Sequence, residues 1–301
     1  MIPFSSHVER DMHSGPPLLL TDLDNTVYDW VDFFAPSVRG MIHVLAREIP
    51  CEEALLFDEF KLVYSRVGSL EYAFSVQELP IIRSRPKEEI ERLVTLAKKV
   101  FHRVRQATLK PYDGVRETLG WARREGVVVV GVTNAPIDHV ERRLKGLFLD
   151  DLFDGLCGGE SHEIPTGFAW TEAIRDNAAS GKYRSRIQHL WPFPKDRLKP
   201  SMEPYQTVMR HFRASSENTY VVGDSIQKDL VPAMQLGLHA IWAEYGTMVD
   251  PKNMETLFRI THWSPEKIQA VYGTTTAQPS ARIQNFSELQ TIVTAAQARL
   301  F

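Results

Sequence analysis

The 301-residue chain has few cysteines and lacks the common motifs of zinc enzymes, serine hydrolases and P-loop proteins. Its two cysteines, Cys51 and Cys157, lie far apart and have no neighbours at metal-ligand spacing, which excludes a disulfide framework and a cysteine zinc site. The ten histidines show no H-E-x-x-H spacing, and neither G-x-S-x-G nor G-x-x-x-x-G-K-[ST] occurs. These absences exclude the common zinc, serine-hydrolase and P-loop motifs.

The chain also lacks a strong net charge and a long apolar run. Thirty-five basic residues stand against 38 acidic ones, giving a net charge of −3, so no general field attracts a nucleic acid or a membrane surface. The longest apolar run, residues 127–132, is far too short to cross a bilayer. We therefore expect a soluble cytoplasmic protein with no nucleic-acid or membrane partner.

Short apolar runs, each followed by polar residues and then a helical pattern, recur along the chain. Residues 18–20, 127–132 and 220–222 are the clearest runs, and 239–243 is a fourth. Helical patterns at 113–125, 203–211 and 229–236 lie between or after them, the first with Asp113 as its expected cap and Gly126 at its stop. This alternation predicts an α/β fold with a parallel sheet.

Two segments interrupt the alternation. Residues 30–108 look purely helical, with apolar stripes at 38–45 and 90–104, which predicts an inserted all-helical cap domain. The core would then comprise residues 1–29 and 109–301. Residues 155–198 are rich in glycine and proline and are expected to form an irregular excursion, with 155–159 as a flexible turn. The basic stretch 175–197 is either a solvated loop or an anion-binding lid.

Polar side chains follow three of the expected strands, where open α/β sheets bind ligands. They are Asp22, Asp24, Thr26, Thr133, Asn134, Asp224, Ser225 and Asp229, with Lys199 preceding a nearby helix. So many carboxylates repel one another unless a cation lies among them. Mg²⁺ prefers carboxylates, waters and substrate phosphate, and a lysine and a threonine hydroxyl suit the remaining phosphate charge.

The string Asp22-Leu23-Asp24-Asn25-Thr26 resembles the D-x-D-x-T signature of the haloacid dehalogenase-like superfamily. Three further segments of the chain resemble the second, third and fourth motifs of that family: Thr133 after its strand, Lys199-Pro200, and Gly223-Asp224-Ser225 with Asp229. The order and the strand context also match, from about residue 18 to 245. The resemblance implies a Rossmann-like three-layer α/β core with an inserted helical cap after the first motif.

The resemblance further implies phosphoryl transfer through an aspartyl-phosphate, with a role for each matching residue. Asp22 would be the nucleophile and Asp24 the general acid and base. Asp22, the backbone carbonyl of Asp24, and Asp224 would hold Mg²⁺. Thr133, Asn134 and Lys199 would bind the phosphate. Thr26, Ser225 and Asp229 would position these groups without contacting the substrate themselves.

Several alternatives follow from the same residues. Dehalogenase relatives usually lack an aspartate at position 24, so Asp24 favours phosphate chemistry. Asn25 with Val27-Tyr28 resembles pyrimidine 5′-nucleotidase-like members and favours a nucleotide among small phosphomonoesters. A phosphomutase would use the same intermediate, and product analysis separates it from a hydrolase. A non-catalytic binding protein on this scaffold would have no need for both aspartates.

Four residues of the expected cap are candidates for substrate contact. Arg39, Arg66 and Arg83 are either substrate ligands or solvated surface residues. Trp30, next to the first motif, either packs in the core or touches substrate.

Overall fold

The computed structural model describes residues 15–261, 263 and 277–297. Residues 1–14, part of the expected core, lie outside this range. The described strands are β1 (Leu18–Thr21), β2 (Val128–Pro136), β3 (Gly155–Gly159), β4 (His189–Phe193), β5 (Thr219–Gly223), β6 (His239–Ala243) and β7 (Ala281–Ile283). They form one parallel sheet in the order β4-β3-β2-β1-β5-β6-β7, which confirms the α/β prediction.

Strand β1 lies inside this sheet, with Leu19 opposite Val129 of β2 on one side and Tyr220 of β5 on the other. From β1 the chain adds β2, β3 and β4 outward on one side, and then returns to add β5, β6 and β7 on the other. The direction of winding therefore reverses between β1 and β5. In an open parallel sheet such a reversal opens a crevice at the carboxyl ends of the strands, and Asp22 and Asp224 follow these two strands.

Helices cover both faces of the sheet. The helices before and between the strands are α1 (Trp30–Glu48), α2 (Glu53–Val67), α3 (Ser75–Glu78), α4 (Pro80–Arg83), α5 (Lys87–Thr108), α6 (Val115–Arg124), α7 (Ile137–Gly146), α8 (Ala169–Ala179) and α9 (Glu203–Phe212). A π-helical turn (Ile226–Leu230) leads into α10 (Val231–Gln235), and α11 (Pro251–Ile260) and α12 (Glu288–Gln297) follow. No helix among the described residues is long and apolar enough to span a membrane.

Successive residues of the central strands enter opposite layers, as the two-residue period of a strand requires. Leu18 and Leu20 pack with Tyr205 of α9 and Leu230 beside α10. Leu19, between them, belongs to the other core, which includes α6 and α7. The result is a three-layer arrangement of helices, sheet and helices.

The helical insertion between β1 and β2 has its own packing. The expected stripe of α1 is buried, and so is the first half of the α5 stripe, whereas Val100, Phe101 and Val104 are half-buried. Phe34 of α1 meets Phe101 of α5 edge to face, with 6.1 Å between ring centroids. The chain enters and leaves this insertion side by side, because Tyr28 forms an antiparallel bridge with Pro111.

Two local predictions were wrong. Residues 155–159 are the buried strand β3, not a flexible turn, and the excursion also contains α8 and the edge strand β4. Glycine occurs in β3 because neighbours leave no room: a Cβ on Gly155 would lie 2.5 Å from the Trp191 ring. Gly114, with φ of 78°, precedes α6 where Asp113 was expected to cap it. The helix expected at 229–236 is present, and the π-helical turn extends its start back to Ile226.

Candidate active site

The loop after β1 is held by backbone hydrogen bonds that fix the positions of Asp22 and Asp24. The N–H of Asp22 donates to the carbonyl of Val222 in β5 at 2.8 Å. The Leu23 carbonyl accepts from three consecutive N–H groups, those of Thr26 (3.2 Å), Val27 (2.8 Å) and Tyr28 (3.3 Å). This tight turn attaches both aspartates to the middle of the sheet.

Asn25 has a structural role in this turn. Its backbone is left-handed, with φ of 61°, a conformation that asparagine tolerates better than most residues. Its Oδ1 accepts from the N–H groups of Trp30 (3.1 Å) and Val31 (3.4 Å) and so satisfies the start of α1. Asn25 thus connects the motif to the helical insertion. This structural role explains the asparagine at position 25 without reference to a nucleotide substrate.

Three carboxylates meet at the carboxyl ends of β1 and β5. One oxygen from each of Asp22, Asp224 and Asp229 lies within 4.8 Å of the others, a group that could hold a metal ion. Burial raises the pKa of Asp224 well above its ordinary value, and the charges of Asp22 and Asp229 raise it further. Burial likewise raises the pKa of Asp229 to about 6, although the nearby Lys199 opposes the shift. The cluster therefore demands cationic compensation.

Lys199 supplies part of that compensation. Its Nζ donates to Oδ1 of Asp22 at 2.5 Å and to Oδ1 of Asp229 at 2.6 Å, and all three side chains are buried. Burial alone would lower the pKa of Lys199, but the two carboxylates outweigh it and raise that pKa well above its ordinary value. The lysine is therefore a fixed cation beside Asp22.

Asp24 lies in a different environment from Asp22. Its Oδ1 accepts from Nη1 of Arg143 at 3.1 Å, and the Tyr28 hydroxyl is also a hydrogen-bonding neighbour. Burial raises the pKa of Asp24 to about 7; Arg143 opposes the shift, whereas Glu71 and Asp22 add to it. A carboxyl group with such a pKa can hold and release a proton near neutrality, as a general acid and base must.

The remaining predicted residues lie in the same crevice. The Thr26 hydroxyl donates to Oδ2 of Asp22 at 3.2 Å, and the Ser225 N–H donates to Oδ2 of Asp229 at 3.0 Å. Asn134 donates through Nδ2 to the Lys199 carbonyl at 2.8 Å, which positions the lysine backbone. Thr133 was expected after its strand but is buried within β2, which continues to Pro136, and its hydroxyl accepts from the N–H of residue 135 at 3.1 Å.

Apart from Thr26, the predicted site residues line one cleft with a volume of about 1820 Å³. The insertion contributes Trp30 and residues 67–71 to this cleft. Residues 159–163 of the expected excursion line it too, together with Lys195 and Asp196. Of the six basic residues in the fully described segment 175–197, Lys195 alone lines the cleft, so most of that charge is directed elsewhere.

The structure does not place the three candidate arginines of the insertion in this cleft. Arg39 donates to Asn253 and Thr256 of α11 and so joins the insertion to the core. Arg66 is exposed and paired with Glu78 at 2.8 Å, and Arg83 is exposed. Trp30 does line the cleft, with its indole stacked on Phe34 at a centroid distance of 4.5 Å.

Two residues of the site were missed by the sequence analysis. Arg143, on α7, and Glu71, in the loop between α2 and α3, form a buried ion pair of 2.5 Å beside Asp24. Burial would raise the pKa of Glu71, but Arg143 and then His139 outweigh it and lower that pKa to about 2. A charged residue on the apolar face of a helix was the available signal, since Arg143 lies three residues after the buried Val140.

Comparison with known proteins identifies the family of this chain. The sequence model of the haloacid dehalogenase-like hydrolases matches residues 17–237, so the chain belongs to that family and is an enzyme. The chain is similar to a glyceraldehyde 3-phosphate phosphatase of Pyrococcus furiosus, at 22% identity over 232 residues that cover 76% of this chain and 81% of the relative. Family membership and this relative together support a phosphatase.

Solved structures share the fold. A 2-haloacid dehalogenase from Pseudomonas syringae pv. Tomato superposes with a TM-score of 0.55 at 17% identity, over 95% of this chain and 100% of that chain. A haloacid dehalogenase-like family hydrolase from Xanthomonas campestris gives a TM-score of 0.50 at 15% identity, over 95% and 98% of the two chains. At these identities the likeness concerns the fold alone.

Proposed function

We propose that this protein is a Mg²⁺-dependent phosphomonoester hydrolase that acts on a small phosphorylated metabolite through an aspartyl-phosphate on Asp22. The observation that carries the proposal is the pairing of two differently placed aspartates at the end of β1. Asp22 lies among the carboxylates and Lys199, whereas Asp24 lies against Arg143. Asp22 is placed as a nucleophile beside the Lys199 cation, and Asp24 is placed to donate and accept a proton.

The carboxylate cluster fits a magnesium ion. Its donors are oxygens, as Mg²⁺ prefers. Burial and then the charges of Asp22 and Asp229 raise the pKa of Asp224, so a bound cation would stabilise its anionic form. Asp22, the Asp24 carbonyl and Asp224 would be the ligands of the ion, and Asp229 would lie next to these ligands without binding the ion. When bound, Mg²⁺ would neutralise charge on the phosphate and align it with Asp22.

The protein residues carry out two transfers. In the first, an oxygen of Asp22 forms a bond to phosphorus while the bond from phosphorus to the leaving oxygen breaks, and that oxygen takes the proton of Asp24. In the second, a water gives a proton to Asp24 and its oxygen attacks phosphorus, which releases inorganic phosphate and restores Asp22. An Asp24 pKa of about 7, raised mainly by burial, suits both directions.

Thr133 and Lys199 complete the phosphate site. A hydroxyl and an ammonium group can hold the non-bridging oxygens of the transferring phosphoryl group and stabilise their charge in the transition state. Lys199 is anchored from two sides, through its Nζ by Asp229 and through its carbonyl by Asn134. It can therefore move little when substrate arrives, which keeps the cation where charge develops.

The helical insertion, residues 30–108, is proposed to be the cap over this site, and 1–29 with 109–301 the core. Its contribution of Trp30 and residues 67–71 to the cleft wall supports this assignment. A site covered by a cap domain favours small substrates such as nucleoside monophosphates, sugar phosphates and small-acid phosphates over macromolecules. Because a relative is named for glyceraldehyde 3-phosphate, triose phosphates belong in the substrate panel. A cytoplasmic location accords with this metabolite class.

The test is phosphate release by the purified protein over such a panel with Mg²⁺, compared with Asp22→Asn. The amide has almost the shape of the carboxylate but is a poor nucleophile and a poorer magnesium ligand. We expect turnover by the wild-type protein and none by the variant, with thermal unfolding nearly unchanged. Release by Asp22→Asn at a large fraction of the wild-type rate, in a sample free of other phosphatases, would refute the assignment.

A further inference from the structure

Arg143 connects the loop after β1 to the helical insertion. Its guanidinium is only 6% exposed and divides its two amino groups between two carboxylates. Nη1 donates to Asp24 at 3.1 Å, and Nη2 donates to Oε1 of Glu71 at 2.5 Å. The ring of Phe33 lies 5.2 Å from the guanidinium carbon, so an aromatic face supports this arrangement.

Glu71 is itself held by three donors. Besides Arg143, the indole Nε1 of Trp30 donates to Oε1 at 2.5 Å, and Nδ1 of His139 lies 3.3 Å from Oε2. The carboxylate is 7% exposed and lines the cleft. A buried anion with this many partners has one orientation, so the position of Nη2 of Arg143 is fixed as well.

The division matters because an arginine beside a single carboxylate tends to bind both of its oxygens. With Glu71 holding one amino group, Arg143 contacts only Oδ1 of Asp24. Arg143 therefore leaves the other carboxyl oxygen of Asp24 uncontacted by its own amino groups, and Asp24 lines the cleft in which a substrate would bind. Without Glu71, the guanidinium would be free to turn both amino groups to Asp24 and draw that second oxygen away from the leaving group.

We propose that Glu71 is a positioning residue that acts through Arg143 to keep Asp24 directed at the leaving group. This inference rests on the proposed phosphatase function, in which Asp24 protonates the departing oxygen. Since Glu71 belongs to the insertion and Arg143 and Asp24 to the core, the contact exists only where the insertion packs on the core. The insertion thereby supplies part of the proton-transfer geometry as well as a wall of the cleft.

The experiment compares kcat/KM of the wild-type protein and Glu71→Gln on an alkyl phosphate and on p-nitrophenyl phosphate. This parameter covers the steps up to departure of the leaving group. An alkoxide needs the proton of Asp24 to depart, whereas p-nitrophenolate needs it far less. General acid catalysis contributes roughly 100- to 10,000-fold, and a misdirected acid retains part of it. We therefore expect a loss of about 10- to 100-fold on the alkyl substrate and less than about threefold on p-nitrophenyl phosphate.

The control is Glu78→Gln, which also removes a carboxylate from an ion pair of the insertion. Its partner Arg66 is exposed and lies outside the cleft, so kcat/KM should stay unchanged on both substrates. Arg143→Lys provides a second variant, because one ammonium group cannot reproduce the fork between Asp24 and Glu71. It should show the same dependence on the leaving group, and it tests the inference if Glu71→Gln does not fold.

Equal losses on the two substrates would overturn the inference, since they would indicate a structural or substrate-binding role for Glu71. Unchanged kcat/KM on the alkyl phosphate would overturn it too. Absence of phosphate release by the wild-type protein from either substrate would instead refute the phosphatase function, and the inference with it.

Discussion

Replacing Lys199 by methionine tests how the clustered carboxylates of Asp22, Asp224 and Asp229 are compensated. The side chains of Lys199, Asp22 and Asp229 are 4%, 9% and 2% exposed, so water screens these charges poorly. Methionine has a similar length and no charge. In Lys199→Met the fold would have to keep Asp22, Asp224 and Asp229 together without the lysine cation, or else one of them would have to be protonated.

The expected cost follows from that burial. Removing one partner of a buried ion pair typically destabilises a protein by about 3–5 kcal/mol, because the other charge is left without compensation. A magnesium ion on the same carboxylates would supply the missing charge, and it should bind the variant more tightly than the wild-type protein. Each tenfold gain in affinity adds about 1.4 kcal/mol of stability at saturating metal, so Mg²⁺ should recover part of the loss.

The assay is urea unfolding of the wild-type protein and Lys199→Met, in EDTA and in saturating Mg²⁺. Lys195→Met is the matched control: Lys195 lines the same cleft but is exposed, and its Nζ donates to the Gly68 carbonyl at 2.9 Å. We expect that control to change stability by less than about 0.5 kcal/mol. An equal loss for Lys199→Met with and without Mg²⁺ would show that lysine and metal do not share the carboxylates, and no loss at all would refute the buried pairing.

Three further outcomes are expected. EDTA should abolish phosphate release and Mg²⁺ restore it, whereas Ca²⁺, with its looser coordination, should inhibit; full activity after exhaustive chelation would exclude the metal site. Burial, and then the charge of Arg142, lower the pKa of Lys98 to about 8. The charge of Lys98 therefore costs stability at neutral pH, and this cost disappears as pH rises from about 8 towards the ordinary 10.5. Lys98→Met should accordingly stabilise the protein by about 1 kcal/mol at pH 7, after allowance for partial exposure, and by less at pH 10. A stabilisation of the same size at both pH values, or a similar stabilisation by Lys99→Met at an exposed position, would contradict this. A folded phosphoprotein and a 5′-phosphorylated duplex should be hydrolysed far less efficiently than small phosphomonoesters, and preference for either would mean that residues 30–108 do not cover the site.

Much of the fold was predictable because it depends on local patterns. The runs 18–20, 220–222 and 239–243 are short, apolar and followed by polar turns, and each is part of an observed strand. Strand β3 escaped prediction because its glycines are explained only by its neighbours, such as the Trp191 ring above Gly155. Local propensity favours a turn there, and the tertiary contact decides for a strand.

The site divides in the same way. Asp22 and Asp224 follow predicted strands, so the topology of a parallel sheet brings them together. Lys199 lies 177 residues after Asp22. It was expected near the carboxylates as a ligand of the substrate phosphate, and its ion pairs with Asp22 and Asp229 were not predicted. Glu71 and Arg143 carry no motif and come from a loop of the insertion and from a core helix. Their pairing depends on how the insertion packs on the core, which no local pattern of the sequence specifies.

The most direct measurement traps the covalent intermediate. The wild-type protein is mixed with substrate and Mg²⁺, quenched in acid within a single turnover, digested and analysed by mass spectrometry. We expect one phosphoryl group on the peptide that contains Asp22, stable in acid and labile in alkali, and none in Asp22→Asn. Turnover of substrate without a phosphorylated peptide, or with the phosphoryl group on another residue, would contradict the proposed mechanism.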